Sequence, residues 1–488
     1  MPQLEFYPIC RKDYSTLPKM LLALGIGVTL MHLAFLKPLI WDLDGNEVLK
    51  VSYSLVTDQS FSLPPGSGGM LGPDGQSYSI RYLLLPILVA PFVAIGILIS
   101  SWLGLPWIST TGIFAVSSTV LLTASTTVLV ALLALKLGST KQGAYVAALG
   151  FAFGTIALTY AQTLFSEPLL AFLIIACVYL AFDESRSWIG CSLLAMLSIL
   201  AKPAGIIVGP IISIYFLSKR YQISAILGPI IFPALGILLY LTYNYLRFGN
   251  PLITGQPLSV GLSAFEMPQR LLGFLFGFGM GGGLIWYCPP VAMAVVGFFK
   301  ASKSKPLEAA VLAEIGLGFL MLHSFWHCCG WDWGPRFLVP LLPLLLALTG
   351  LIDYRSRKWL VALCIVGFIV NAPTLVSFYQ RYYWELEATG HQVWQLSLWT
   401  NIADAPLSNV WAATFRQISE AMVTDVKVFL AGSDSVTLMQ ILPVWWWILP
   451  AIGVPVWCGA TVAGLLLATG IGVLWRGWPK LEPSAPSI

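Results

Sequence analysis

Apolar stretches of about 20 residues recur along this chain, and about that many are needed for a helix to cross the hydrocarbon core of a bilayer. Runs such as Thr110 to Leu135 and Lys358 to Tyr379 are continuously apolar, without the short alternating segments of a transmembrane barrel, so the spans are helical. Composition agrees: 57% of the 488 residues are hydrophobic and 10% charged, where soluble proteins carry roughly 25% charged. The expected fold is therefore an all-α polytopic membrane protein. A net charge of +4, spread thinly over loops, leaves no electrostatic footprint for nucleic acid. The eight cysteines fall mostly inside apolar runs with no regular spacing, which predicts buried thiols rather than a disulfide framework. Met20 to Leu36 follows Arg11, Lys12 and Lys19 but precedes no small-residue cleavage site, and is read as an uncleaved first span.

Lys and Arg concentrate in cytoplasmic loops near span ends, and this rule selects among topologies. If Leu83 to Leu103 crossed, the next span would carry Lys136 and Lys141 to the outer side. The stretch is instead expected to be an interfacial or re-entrant helix broken by Pro86 and Pro91. About twelve spans follow, near 20–37, 110–135, 144–162, 168–182, 188–201, 204–218, 223–245, 286–299, 308–326, 337–352, 359–378 and 453–475. Both termini then lie in the cytoplasm, with Lys219, Arg220, Lys300, Lys303, Lys305, Arg355, Arg357 and Lys358 inside. The outer segments 38–109, 246–285, 327–336 and 380–452 are long enough to carry function. Residues 1–379 form the principal membrane module, 380–452 an outer cap, and 453–488 the last span and tail.

Charge next to lipid is costly and marks candidate sites. The sequence W-D-L-D-G-N-E places Asp42, Asp44 and Glu47 just after the first span. An ionised carboxylate here serves as a base, and Asp42 with Asp44 offers oxygen ligands to a divalent ion; the bland alternative is a solvated helix cap. The same loop ends with Asp74, Tyr78 and Arg81, whose planar guanidinium suits a phosphate clamp or a snorkelling headgroup anchor. Lys202 in A-K-P, Glu167 in F-S-E-P, and Asp332 with Arg336 in W-D-W-G-P-R add charge from separate spans. His323 and His327 at helical spacing, with Cys328 and Cys329, are read as packed groups rather than metal ligands. Gly277 to Gly283 lacks the context of a phosphate loop and is read as a close-packing or re-entrant element. Trp445, Trp446 and Trp447 are read as an aromatic belt.

In order, the acidic motif, D-G-x-x-Y-S, F-S-E-P-L-L-A, A-K-P, Y-N-Y-L-R-F-G-N-P (243–251) and W-D-W-G-P-R-F-L-V-P resemble the polyprenyl-phosphate-sugar-dependent glycosyltransferases of superfamily C. That group includes protein O-mannosyltransferases and the aminoarabinose transferase of lipid A. The resemblance covers roughly residues 20–379 and rests on the order of the motifs. It implies an enzyme that takes a sugar from a polyprenyl-phosphate carrier, with inversion at the anomeric carbon, on the outer face of the plasma membrane, for a lipid, glycan or protein acceptor. It also implies that an Asp-Glu pair carries the acid-base chemistry. The matching positions here are Asn46 and Glu47, so either Glu47 or Asp44 takes that role or the chain has lost that chemistry. Arg81 matches the cation that holds the carrier phosphate, assisted by Lys202 and Arg336; Asp74, Tyr78, Glu167 and Asp332 are expected substrate contacts. The resemblance does not fix a cofactor, since metal dependence varies across the superfamily; Asp42 and Asp44 are the candidate ligands of a divalent cation. A transporter of lipid-linked sugar, or a non-catalytic carrier-binding relative, is the alternative.

Overall fold

The computed structural model describes residues 16–105, 107–183, 187–255, 264–278, 282–325, 331–391, 401–429 and 439–480. His327, Cys328, Cys329, Gly279, Gly281 and the cap tryptophans Trp394 and Trp399 lie outside them. The described residues are helical apart from loops and one hairpin. Helix α1 (Thr16–Leu33) leads to α2 (Leu43–Thr57), the antiparallel strands β1 (Met70–Leu71) and β2 (Ser77–Tyr78), and α3 (Leu84–Leu103). Next come α4 (Trp107–Lys136), α5 (Lys141–Gly154), α6 (Ala157–Tyr160), α7 (Ser166–Ala181), α8 (Trp188–Ala201), α9 (Val208–Ser218) and α10 (Ile223–Phe248). The chain continues through α11 (Met267–Phe276), α12 (Leu284–Tyr287), α13 (Ala294–Ser304), α14 (Pro306–Phe325), α15 (Leu342–Thr349), α16 (Tyr354–Asn371) and α17 (Pro373–Val376). The cap contributes α18 (Tyr379–Ala388) and α19 (Pro406–Ala421), and α20 (Val456–Gly477) ends the fold.

Among the described residues, seven helices are long and apolar enough to cross a membrane. The protein is an integral membrane protein whose lipid-facing surface is apolar, with Leu227, Ile231 and Leu238 of α10 and Leu465 and Trp475 of α20 exposed. Its interior is one large cluster of small and branched side chains from α4, α5, α7, α8, α14 and α15. Without a hydrophobic drive between helices in lipid, close backbone approach does this packing. Gly297 of α13 lies so near the Leu348 carbonyl that any Cβ there would collide with it.

Contacts divide the molecule into two ends. At one end, Lys141 Nζ reaches Thr16 Oγ1 (3.2 Å), Lys136 pairs with Asp183 (3.0 Å), and Lys305 Nζ donates to the Lys136 carbonyl (2.7 Å). Lys219 pairs there with Glu308 (2.9 Å). Gln142 links Arg357 (3.0 Å) to the Pro479 carbonyl (3.1 Å). The opposite end carries α2, the hairpin and the cap.

Helix α3 belongs wholly to that opposite end. Its first turn receives the Ser52 hydroxyl of α2 on the Pro86 carbonyl (3.0 Å), and the start of α4 just beyond its last turn stacks Trp107 on Tyr53 of α2 (4.6 Å between centroids). Since α4 ends at Lys136, it runs from the α2 end to the basic end, and α3 turns back before crossing. The expected break at its prolines does not occur. Pro86 occupies the first turn, where its missing N–H has no intrahelical partner to lose, and α3 continues through Pro91.

Other expected spans are less regular than their hydropathy. The stretch 144–162 stops at Gly154 and resumes as the short α6, 204–218 opens as a 3-10 turn (Pro203–Ile207), and 286–299 is interrupted at Pro289 and Pro290. The tryptophan run does more than mark an interface. Trp445 and Trp446 donate their indole N–H groups to the Leu33 and Ala34 carbonyls (3.0 Å each), which the end of α1 leaves without helical partners.

A cysteine at Ser67, before α3, and one at Leu105, after it, should react with a membrane-impermeant maleimide from the same face of sealed vesicles, above the labelling of the parent protein. Labelling from opposite faces would mean that α3 crosses.

Candidate functional site

The acidic motif folds as the start of α2 for local reasons. Asp42 is its N-cap, accepting the Gly45 N–H at 2.5 Å. Asp44 and Glu47 follow at i, i+3 and so share one face. Asn46 stands round the helix from Asp44, its amide donating to the Ile40 carbonyl (3.5 Å). Asn46 thus meets local backbone, while Asp44 faces the cations.

Arg81 bridges both carboxylates, with Nη2 2.9 Å from Asp44 and Nε 3.4 Å from Glu47. Ser79 donates to the same Glu47 oxygen at 2.6 Å. The segment carrying Ser79 and Arg81 is held from behind by Arg247, 2% exposed, which donates to the carbonyls of Ser79 and Arg81 and stacks on Tyr243 (3.7 Å). Arg247 lies inside Y-N-Y-L-R-F-G-N-P, but nothing in the spacing alone announces that it fixes a loop 166 residues away.

The other charges come from helix boundaries. Pro203 ends α8 and leaves Lys202 extended at the junction with the 3-10 turn. Glu167 sits in the first turn of α7, where a carboxylate suits the helix dipole, and pairs with Lys202 at 2.5 Å. In W-D-W-G-P-R, Gly334 has φ +62° and faces the Tyr287 ring, so only glycine makes this turn without strain. Tyr160 OH accepts the Trp333 N–H and donates to its carbonyl (3.1 Å each), while Trp333 Nε1 donates to Asn371 (2.7 Å). That turn delivers Arg336 into contact with three carboxylates: Asp332 at 3.1 Å, Asp44 at 3.3 Å and Glu167 at 3.6 Å. Tyr383 of the cap donates to the Asp332 carbonyl (2.5 Å), linking the cap to the turn.

These groups border a cavity of about 370 Å³. Arg81, Lys202 and Arg336 face it against only Asp44 and Glu167, so its charged lining has a cationic excess. Val48, Leu85, Leu164, Leu322 and Phe337 make the rest of its wall mostly apolar. The buried Nε atoms of Arg81 and Arg336 and Oε2 of Glu167 have no hydrogen-bond partner. Tyr82, Tyr240 and His323 also line the space; the first two escaped the sequence reading because a tyrosine at an interface carries no distinguishing pattern. His323 stacks between Phe319 and Phe337 (5.6 and 5.3 Å), as a packed ring does.

Of the expected site residues, Asp44, Arg81, Glu167, Lys202, Asp332 and Arg336 form one connected network, with Glu47 behind Arg81. Asp74 and Tyr78 do not join the cavity. Tyr78 OH donates to Asp74 (2.6 Å) and closes the β hairpin, its ring meeting Phe248 edge-on. The expected metal ligands are engaged otherwise: Asp42 caps a helix and Asp44 bridges two guanidiniums. Among the described residues no group of three His, Cys, Asp or Glu side chains is placed to hold a metal ion.

No protein-family description and no curated protein sequence matches the chain. Among solved structures it is similar to ArnT from Cupriavidus metallidurans in the apo state, at 12% identity and a TM-score of 0.48, over 93% of this chain and 76% of that one. The same enzyme bound to undecaprenyl phosphate gives 13% identity and 0.47, over 93% and 77%. The Archaeoglobus fulgidus oligosaccharyltransferase tethered with an acceptor peptide gives 15% and 0.44, over 89% and 60%.

Burial, with the Asp44 charge beside it, pushes the Asp42 carboxyl up to about 7. The folded protein then holds a proton that the unfolded chain releases near pH 4, so stability falls as pH rises from about 4 to about 7. Thermal unfolding in detergent across that range should show this fall, and Asp42→Asn, which keeps the capping oxygen, should flatten it. An unchanged slope would remove Asp42 as its source.

Proposed function

We propose that the protein is a membrane glycosyltransferase that moves a sugar from a polyprenyl-phosphate carrier to an acceptor at the end of the bundle that carries α2. One observation carries this reading: three cations from separate elements converge on a cavity whose remaining wall is apolar. Such a space suits an amphipath with an anionic head and a hydrocarbon tail, because guanidinium forks match phosphate oxygens and the wall accepts the chain. Lysines and arginines gather at the opposite end, which supports a cytoplasmic basic end and a reaction on the outer face of the plasma membrane.

Asp44 is the proposed base. It faces the cavity, whereas Glu47 is held behind Arg81 by Ser79. Donor phosphate competes with Asp44 for Arg81 and Arg336, so binding the donor frees the carboxylate that the reaction needs. The acceptor oxygen or nitrogen then attacks the anomeric carbon and gives its proton to Asp44. The bond to the carrier oxygen breaks with its electron pair on the phosphate, where Arg81, Arg336 and Lys202 stabilise the charge. One displacement inverts the anomeric centre.

With purified protein in lipid and a panel of radiolabelled polyprenyl-phosphate sugars, Asp44→Asn should lower kcat by about 10³ and leave the donor KM within a few-fold. Arg81→Ala should chiefly raise the donor KM. Full turnover in Asp44→Asn with loss in Glu47→Gln would transfer the base to Glu47. Saturable carrier binding without turnover would support a transporter or a non-catalytic relative.

A further inference from the structure

A groove of about 940 Å³ is lined by α1, α4 and α7 and shares no lining residue with the charged cavity. Helix α4 packs against both of the others and forms its floor. Small residues give the groove its depth: Gly25 of α1, Ala124 and Ser125 of α4, and Ala176 of α7 stand where larger side chains would close the space. Leu22, Ile26 and Leu121 are exposed on its rim, so it opens sideways to the bilayer. Along α1 it runs from Pro18 to Leu30, about 18 Å at the helical rise, and along α4 (Leu121 to Leu129) and α7 (Phe172 to Leu180) about 12 Å. On α4 and α7 these stretches lie toward the ends that carry Lys136 and Asp183. The groove therefore begins at the basic end and has the depth of one leaflet, about 15 Å when the hydrocarbon core is about 30 Å thick.

Charge at the mouth selects the occupant. Lys19 is exposed, stands next to Pro18 and one turn before Leu22, and shares the side of α1 that carries Ile26. Among the described residues no side chain pairs with it. Its basic neighbours are engaged: Lys141 reaches Thr16 Oγ1, and Lys136 pairs with Asp183 while standing over the ring of Tyr179, a lining residue, at 4.7 Å. We infer that the groove is a lipid site, holding one acyl chain of an anionic phospholipid from the leaflet at the basic end, with the lipid phosphate on Lys19. Lysine beside an apolar cleft between spans is a recurrent anionic-headgroup arrangement, and a tyrosine at the same level suits the interface. A zwitterionic lipid would fill the groove equally well but set its own cation near Lys19 and Lys136. A partner helix would cross the whole core, whereas the groove stops after one leaflet. The inference does not depend on the transferase reading.

Full-length protein in detergent, titrated with dioleoyl phosphatidylglycerol or dioleoyl phosphatidylcholine, can be read by native mass spectrometry for bound lipid. One phosphatidylglycerol per chain is expected to bind about fivefold more tightly than phosphatidylcholine, the effect of one lysine beside a headgroup. Lys19→Gln should erase that preference and leave phosphatidylcholine binding unchanged. Ser125→Phe, at an exposed position, fills the groove and should weaken both lipids about tenfold. Lys303→Gln removes an exposed cation at the same end but outside the groove, and should change neither. Thermal unfolding shows which variants are folded, and phosphatidylglycerol should raise the unfolding temperature of the wild type but not that of folded Ser125→Phe. Equal binding of the two lipids by the wild type, or a preference that survives Lys19→Gln, overturns the site. A preference lost in Arg81→Ala but kept in Lys19→Gln would put the lipid in the charged cavity instead, and overturns it too.

Discussion

The rest of the site hangs on the Arg336 guanidinium. It touches carboxylates from the start of α2, from the start of α7 and from its own turn, so three parts of the chain far apart in sequence share one cation. A charge buried at this depth is tolerated only when its partners repay the lost hydration, and deleting one partner leaves the others exposed to the same cost. Phe165 and Phe337 flank the guanidinium at 4.3 and 4.9 Å, keeping water away while their faces favour the cation. The arrangement is therefore cooperative: Asp44 is placed by Arg336 as much as Arg336 is placed by Asp44.

That cooperativity gives the cavity two electrostatic states. With no anion bound, the carboxylates saturate the cations and the network is nearly neutral. In the proposed reaction an entering phosphate, though tetrahedral, presents a pair of oxygens to a guanidinium fork as a carboxylate does and takes over part of its coordination. Lys202 is less exchangeable, because it sits 2.5 Å from Glu167 and over the Phe337 ring at 4.2 Å. The two arginines thus serve as the adjustable contacts and the lysine as a fixed source of positive potential.

Much of this was legible because the charges violate the lipid rule. Glu167, Lys202, Asp332 and Arg336 stand out in a chain with so few charges, and their motifs contain the prolines and glycine that end helices where the charges sit. Charge bookkeeping also placed α3 correctly, since Lys136 fixes the direction of α4 regardless of how apolar α3 is. What stayed hidden depends on partners distant in sequence. Asp74 and Tyr78 read as site residues because they precede Arg81, yet the hairpin that joins them to each other turns them from the cavity. The choice between Asp44 and Glu47 required the helix register and the Ser79 hydrogen bond. Arg247 belongs to no charge pattern or local motif that foretells what it faces.

The indole bonds to the end of α1 tie the beginning of the chain to a segment 412 residues later. Helix α1 leaves the synthesis machinery well before Trp445 and Trp446, so two of its final carbonyls acquire these donors only after some 412 further residues have been made. Its partner along the bundle, α20, also arrives last, with the Tyr145 hydroxyl of α5 donating to the Leu474 carbonyl (2.7 Å). Assembly of the end that carries α2 is accordingly a late event, and a chain cut short before Trp445 would leave the end of α1 without these donors. The hydrogen bonding of an early helix is thus finished by a segment made long after it.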